Sequence, residues 1–210
     1  QKPNEQRSEP LPILGCFFLG IVLGKFDLLP QVLVEHDPTL QALWMLMGLT
    51  GLVLGRDRRL GEILRSISPK ILLLPVATTA GTFAGCAICS LFLAYGIFEC
   101  LAIGSGFAYY SLSSIFITRE LGMEIGAVAL LANVFREILT LVCCGLLAGF
   151  IGPPAIITCG GAASMDTILT VVARHGGKDW IMASIVHGVV LDFSVPFWIA
   201  IFCPLARANF

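Results

Sequence analysis

Two carboxylates stand where a lipid environment should exclude them. Glu137 lies in Ala129-Leu130-Leu131-Ala132-Asn133-Val134-Phe135-Arg136-Glu137-Ile138-Leu139-Thr140-Leu141-Val142-Cys143-Cys144, and Asp166 lies in Cys159-Gly160-Gly161-Ala162-Ala163-Ser164-Met165-Asp166-Thr167-Ile168-Leu169. Both neighbourhoods are otherwise apolar or small. An ionisable group at bilayer depth costs about 2.5 kcal/mol or more, so it faces a protein interior or a water-filled path. An apolar setting disfavours the charged carboxylate, and an arriving cation favours it. One such group can therefore hold a proton or an organic cation, but not comfortably both. The chemistry implied is exchange of the two along a polar path through a membrane.

Several side chains are placed to assist. Asn133 is four residues before Glu137, hence on the same helical face. Arg136 points about 100° away from Glu137 and is expected to find an ion-pair partner on another segment. Ser111, Ser113 and Ser164 offer hydroxyls, and Tyr109 and Tyr110 offer rings able to face an ammonium. His187, in an apolar helical stretch, suits a proton relay or a satisfied interior histidine equally. Asp192 is a further carboxylate within the last apolar stretch. Structural roles compete with these: a buried pair tying helices together for Glu137, and a helix-start cap for Asp166. An intramembrane hydrolase would use Asp166 with Asp192, or Ser111 with His187, but no nucleophile-elbow pattern is present and an enzyme is not expected. A passive pore for small cations is the other alternative.

The elements that must carry these groups follow from composition. The hydrophobic fraction is 57% and the charged fraction 13%, against roughly 45–50% and roughly 25% in soluble domains. The expected architecture is an all-α integral membrane protein, a polytopic helical bundle, with residues 1–210 forming one transmembrane transporter domain. Apolar stretches at 11–26, 40–54, 71–95, 125–150 and 180–204 read as spans, given the need for about 20 residues with shorter ones completed at their ends. Stretches 98–118 and 153–172 are apolar but rich in Gly, Ser, Ala and Thr. Such backbone is tolerated at depth only where protein buries it or it lines a cavity. These two read as broken or re-entrant helices. If both turn back, they and their preceding spans form two units of opposite polarity, the inverted-repeat plan of many secondary transporters; close helix packing, for which small residues suffice, is the alternative.

Charge placement sets orientation. Arg56, Arg58, Arg59, Arg65 and Lys70 follow the second span, which places that connection in the cytoplasm. The amino terminus is then inside and, after an odd number of crossings, the carboxyl terminus outside. Trp44, Trp180 and Trp198 are expected as interface anchors. No basic patch interleaved with aromatics points to nucleic acid. The eight cysteines read as small packing residues, and neither metal nor cofactor is expected.

Gly104-Ser105-Gly106-Phe107-Ala108-Tyr109-Tyr110-Ser111-Leu112-Ser113, Arg136-Glu137, Gly161-Ala162-Ala163-Ser164-Met165-Asp166 and His187-Gly188 resemble, in order and spacing, the signature blocks of the LysO-type lysine exporters. The resemblance runs from about Leu11 to Pro204. It implies export of L-lysine and lysine analogues across the bacterial cytoplasmic (inner) membrane, with Glu137 and Asp166 important for transport. It departs at Ser114, where the family often has Gly, and at Ile168-Leu169-Thr170, in place of a Thr-Leu-Pro ending. The resemblance covers the family's larger, carboxyl-terminal part, without its amino-terminal spans. It therefore implies a small membrane subunit equivalent to that part, or a homo-oligomer.

Overall fold

The computed structural model describes residues 69–209 together with scattered helical positions between 19 and 56. The chain divides into two compact units, Gln1–Arg56 and Asp57–Phe210. In the first, Leu19, Val22, Met45 and Leu52 are helical and exposed. The stretches expected to span at 11–26 and 40–54 otherwise fall outside the described residues, as do Trp44 and most of the basic cluster.

In the second unit the described residues form helices α1 (Pro69–Cys89), α2 (Ile97–Gly104), α3 (Tyr110–Leu121), α4 (Met123–Phe150) and α5 (Pro153–Gly160). A 3-10 turn (Gly161–Met165), α6 (Leu169–Gly176) and α7 (Lys178–Arg207) complete it. The protein is an all-α membrane protein. Among the described residues α1, α4 and α7 are long and apolar enough to cross a bilayer. Rising about 1.5 Å per residue, the 28 residues of α4 and the 30 of α7 exceed what a hydrocarbon layer about 30 Å thick requires.

Helix ends follow local chemistry. The apolar run at 71–95 outlasts its helix: α1 stops at Cys89, and Ser90 Oγ donates to the Ala87 carbonyl at 2.8 Å. Gly96 then opens α2, its N–H donating to Glu99 Oε2 at 2.7 Å. Gly122, at φ 97°, serves as the single residue between α3 and α4, a conformation that glycine adopts without steric cost. Pro153 and Pro154 occupy the first turn of α5, where their missing N–H groups are no loss.

Stretches 98–118 and 153–172 are each a broken helix. The first is interrupted between α2 and α3, the second between α5 and α6, and both interruptions follow the small-residue runs. Ala108, Ile156, Ile157, Ala163, Ile168, Val172 and Ala183 make one apolar core around these breaks, with Trp180 packed against it. Phe83 of α1 contacts the rings of Phe107, Trp198 and Phe202 at centroid distances of 5.6, 4.9 and 5.0 Å. Trp198 is part of this aromatic packing, where α1 lies against α7.

Candidate functional site

The first break is strained and held from outside. Phe107 and Ala108 adopt left-handed φ values of 46° and 72°, each costing about 1–3 kcal/mol unless the surroundings compensate. Asn133 supplies much of that compensation. Its Oδ1 accepts from the Ala108 N–H at 2.8 Å, and its Nδ2 donates to the carbonyls of Ile103 at 3.0 Å and Ala129 at 2.8 Å. A side chain at Gly106 would lie 2.6 Å from both Asn133 Nδ2 and Ser113 Oγ, so the clamp requires glycine there. Ser113 Oγ donates to the Tyr109 carbonyl at 2.8 Å and steadies the start of α3.

The second break meets the first. The Phe107 carbonyl accepts from the Ala162 N–H at 2.7 Å. Gly161, at φ 62°, lies so close that a Cβ there would overlap the Phe107 carbonyl. On its other side the 3-10 turn packs on α7 at Gly188, where a Cβ would stand 2.6 Å from Met165 Cβ.

Beside this junction the carboxylates gather. Thr167 Oγ1 donates to Glu137 Oε1 at 2.5 Å and lies 3.3 Å from Asp166 Oδ1. Asp166 Oδ1 also accepts from the Thr167 N–H at 2.5 Å, which orients it at the approach to α6. The single hydrogen of that hydroxyl goes to Glu137, so Asp166 takes its hydrogen bond from the Thr167 N–H; Glu137 is half-buried and Asp166 exposed. Asp192 on α7 and Tyr109 at the first break both interact electrostatically with Asp166. Pro196, one turn after Asp192, has no N–H to offer the Asp192 carbonyl. Tyr110 and Ser111 stand exposed on the first turn of α3.

Ser164 and His187 belong to a separate, fully buried network. His187 Nε2 is 2.8 Å from Thr78 Oγ1, and Nδ1 is 3.0 Å from Ser164 Oγ. Ser164 Oγ donates to the Ser184 carbonyl at 3.1 Å, and Ser184 Oγ donates back to the Ser164 carbonyl at 2.6 Å. A hydroxyl has one hydrogen. Since Ser164 gives its own to Ser184, His187 Nδ1–H must be the donor to Ser164. Nε2 then accepts from Thr78. Both ring nitrogens thus have hydroxyl partners, and neither partner is Ser111. The network ties α1, the second break and α7 together.

Arg136 departs from expectation most. Instead of an ion pair, its guanidinium faces the carboxyl-terminal end of α5. Nε donates to the Cys159 carbonyl at 2.9 Å, Nη2 to the Thr158 carbonyl at 3.2 Å and Nη1 to Thr82 Oγ1 at 3.1 Å. The guanidinium carbon sits 6.0 Å from the centre of the Phe107 ring. Helix carbonyl ends carry partial negative charge, and an aromatic face attracts a cation, so the broken helix stabilises this charge without a carboxylate.

Sequence reasoning missed Thr167, Thr78 and Thr82. Thr167 had one available signal, a hydroxyl directly following a carboxylate. The threonines of α1 had none, since their role depends on which helix they meet.

The fold and these breaks define a polytopic all-α membrane protein with polar groups concentrated at helix discontinuities. Residues 14–203 match the family described as lysine exporter LysO, and the chain belongs to that family. It is 32% identical to lysine exporter LysO of Escherichia coli (strain K12) over 200 residues, covering 92% of this chain and 64% of that protein. It is 30% identical over 195 residues to a protein named as a candidate lysine exporter in Haemophilus influenzae, covering 90% of this chain and 96% of that protein. The chain thus spans 64% of the length of the first relative and nearly all of the second. No solved structure matches.

Proposed function

We propose that this chain exports L-lysine and related cationic amino acids from the bacterial cytoplasm by proton antiport, with Glu137 and Asp166 as the exchanging groups. The observation that carries the reading is Thr167, which holds Glu137 through its hydroxyl and Asp166 through its backbone N–H beside the contact between two broken helices. Gathered carboxylates repel one another, and either a proton or an ammonium relieves that repulsion. The occupants therefore compete, which is the requirement for exchange. Asn133 fixes the first break. Ser164 and His187 fix the second. Tyr110 and Ser111, exposed on the first turn of α3, are assigned to the same path, the tyrosine ring as a face for an ammonium. The relatives' names supply the substrate.

On this proposal residues 1–210 form one transporter domain in the inner membrane, amino terminus inside and carboxyl terminus outside, and the chain catalyses no chemical conversion. A small membrane subunit equivalent to the remaining part of the longer relative, or a second copy of the chain, completes the working unit. The test is labelled-lysine flux from loaded proteoliposomes under an imposed pH gradient. Wild-type protein should drive lysine uphill, while Glu137→Gln and Asp166→Asn should each abolish driven flux without unfolding the protein. Downhill movement alone would indicate a passive pore, and flux indifferent to both substitutions would remove the assigned groups.

A further inference from the structure

Arg136 and Thr82 together present donors for which the described residues offer no acceptor. The guanidinium has five N–H groups, three of which are committed to Cys159, Thr158 and Thr82. One N–H on each terminal nitrogen is left over. Thr82 Oγ1 accepts from Arg136, and its own hydrogen has no partner among the described residues. These groups line a cleft of about 580 Å³ between α1, α4 and α5, whose wall also includes Thr78, Phe135, Thr140 and Thr158. They also line a neighbouring cavity of about 280 Å³. The other hydroxyls on the cleft wall are already committed as donors: Thr140 to the Arg136 carbonyl, Thr158 to the Ala155 carbonyl and Thr78 to His187.

A guanidinium with spare N–H groups, a free hydroxyl hydrogen and no carboxylate among its hydrogen-bond partners repels a bare cation. It suits a planar anion, for which the forked geometry of arginine is well matched. Glu137 follows Arg136 in sequence and is turned about 100° round α4. One helix thus presents a carboxylate-binding group and an ammonium-binding group side by side.

We propose that Arg136 and Thr82 form the subsite for the α-carboxylate of the transported amino acid, so that the site selects a zwitterionic head as well as a side-chain ammonium. This rests on the transport reading above. Lysine is thereby separated from diamines, which carry the ammonium groups but lack the carboxylate.

The test is equilibrium binding of labelled lysine to the purified full chain, competed with lysinamide, cadaverine and 6-aminohexanoate. In wild-type protein lysinamide and cadaverine should compete at least about tenfold more weakly than lysine, the scale of one charge-assisted hydrogen bond or more. The carboxylate-bearing 6-aminohexanoate should compete better than cadaverine. Thr82→Val, which keeps the side-chain shape, should narrow the gap between lysine and cadaverine by weakening lysine alone. Arg136→Lys should narrow it further, and if that variant does not fold, Thr82→Val decides. Lysinamide matching lysine in wild-type protein, or an unchanged gap in folded Thr82→Val, would overturn the subsite while leaving lysine transport intact. Wild-type protein that binds none of these ligands would overturn both readings.

Discussion

Asn133 and Glu137 occupy successive turns of α4 and do different work. The amide of Asn133 is committed to the backbone of the first break, whereas Glu137 meets a hydroxyl at a partly exposed site. Asn133→Leu should therefore strand the Ala108 N–H and the Ile103 carbonyl, at about 1–3 kcal/mol for each buried group. Thermal unfolding of the purified protein should shift down accordingly. Glu137→Gln retains an acceptor for Thr167 and should leave the unfolding temperature nearly unchanged. The same logic applies to the buried histidine: Ser164→Ala removes the acceptor of His187 Nδ1–H and should cost about 1–3 kcal/mol in that assay. Spacing of four residues put Asn133 on the face of Glu137, but spacing does not say what packs against a face. The partners of Arg136 were hidden for a related reason. They are mostly main-chain carbonyls, which every residue possesses, so no side-chain type announces them.

At the scale of elements, the junction between the breaks depends on backbone contact. Gly161→Ala would push a methyl group into the Phe107 carbonyl at a residue already in the left-handed region. Gly177 has a similar φ of 73°, with nothing within 4 Å of its would-be Cβ. Gly177→Ala should cost about 1–3 kcal/mol, the penalty of a backbone conformation that essentially only glycine adopts. Gly161→Ala should lose folded protein outright, as read by the yield of monodisperse material after size exclusion. The breaks themselves were legible in the sequence, because Gly104-Ser105-Gly106 and the run from Gly160 to Ser164 interrupt otherwise apolar stretches. Their contact was not. It is made by backbone and small residues, the Ala162 N–H donating to the Phe107 carbonyl with Gly161 lying against it, between segments far apart in the chain.

For the whole molecule, composition was the most direct guide: 57% hydrophobic and 13% charged residues suit a chain solvated by lipid. Apolar side chains such as Leu131, Phe135 and Val142 on α4, and Phe197 on α7, accordingly face outward. The basic cluster after the second apolar stretch gives the proposed orientation, with the carboxyl terminus outside the cytoplasm. A carboxyl-terminal fusion to a phosphatase that matures only outside the cytoplasm should be active. A fluorescent-protein fusion that matures only inside should be dark. The reverse pattern would require the proposed crossings to be redrawn.

The central claim is that Glu137 and Asp166, joined through Thr167, hold either protons or the substrate's cationic groups. Its most direct measurement is proton release when lysine is added to purified protein in weakly buffered solution. Wild-type protein should release protons as lysine binds, and the Glu137→Gln/Asp166→Asn double variant should release none. Lysine binding by wild-type protein with no proton release, or undiminished release from the double variant, would contradict the account.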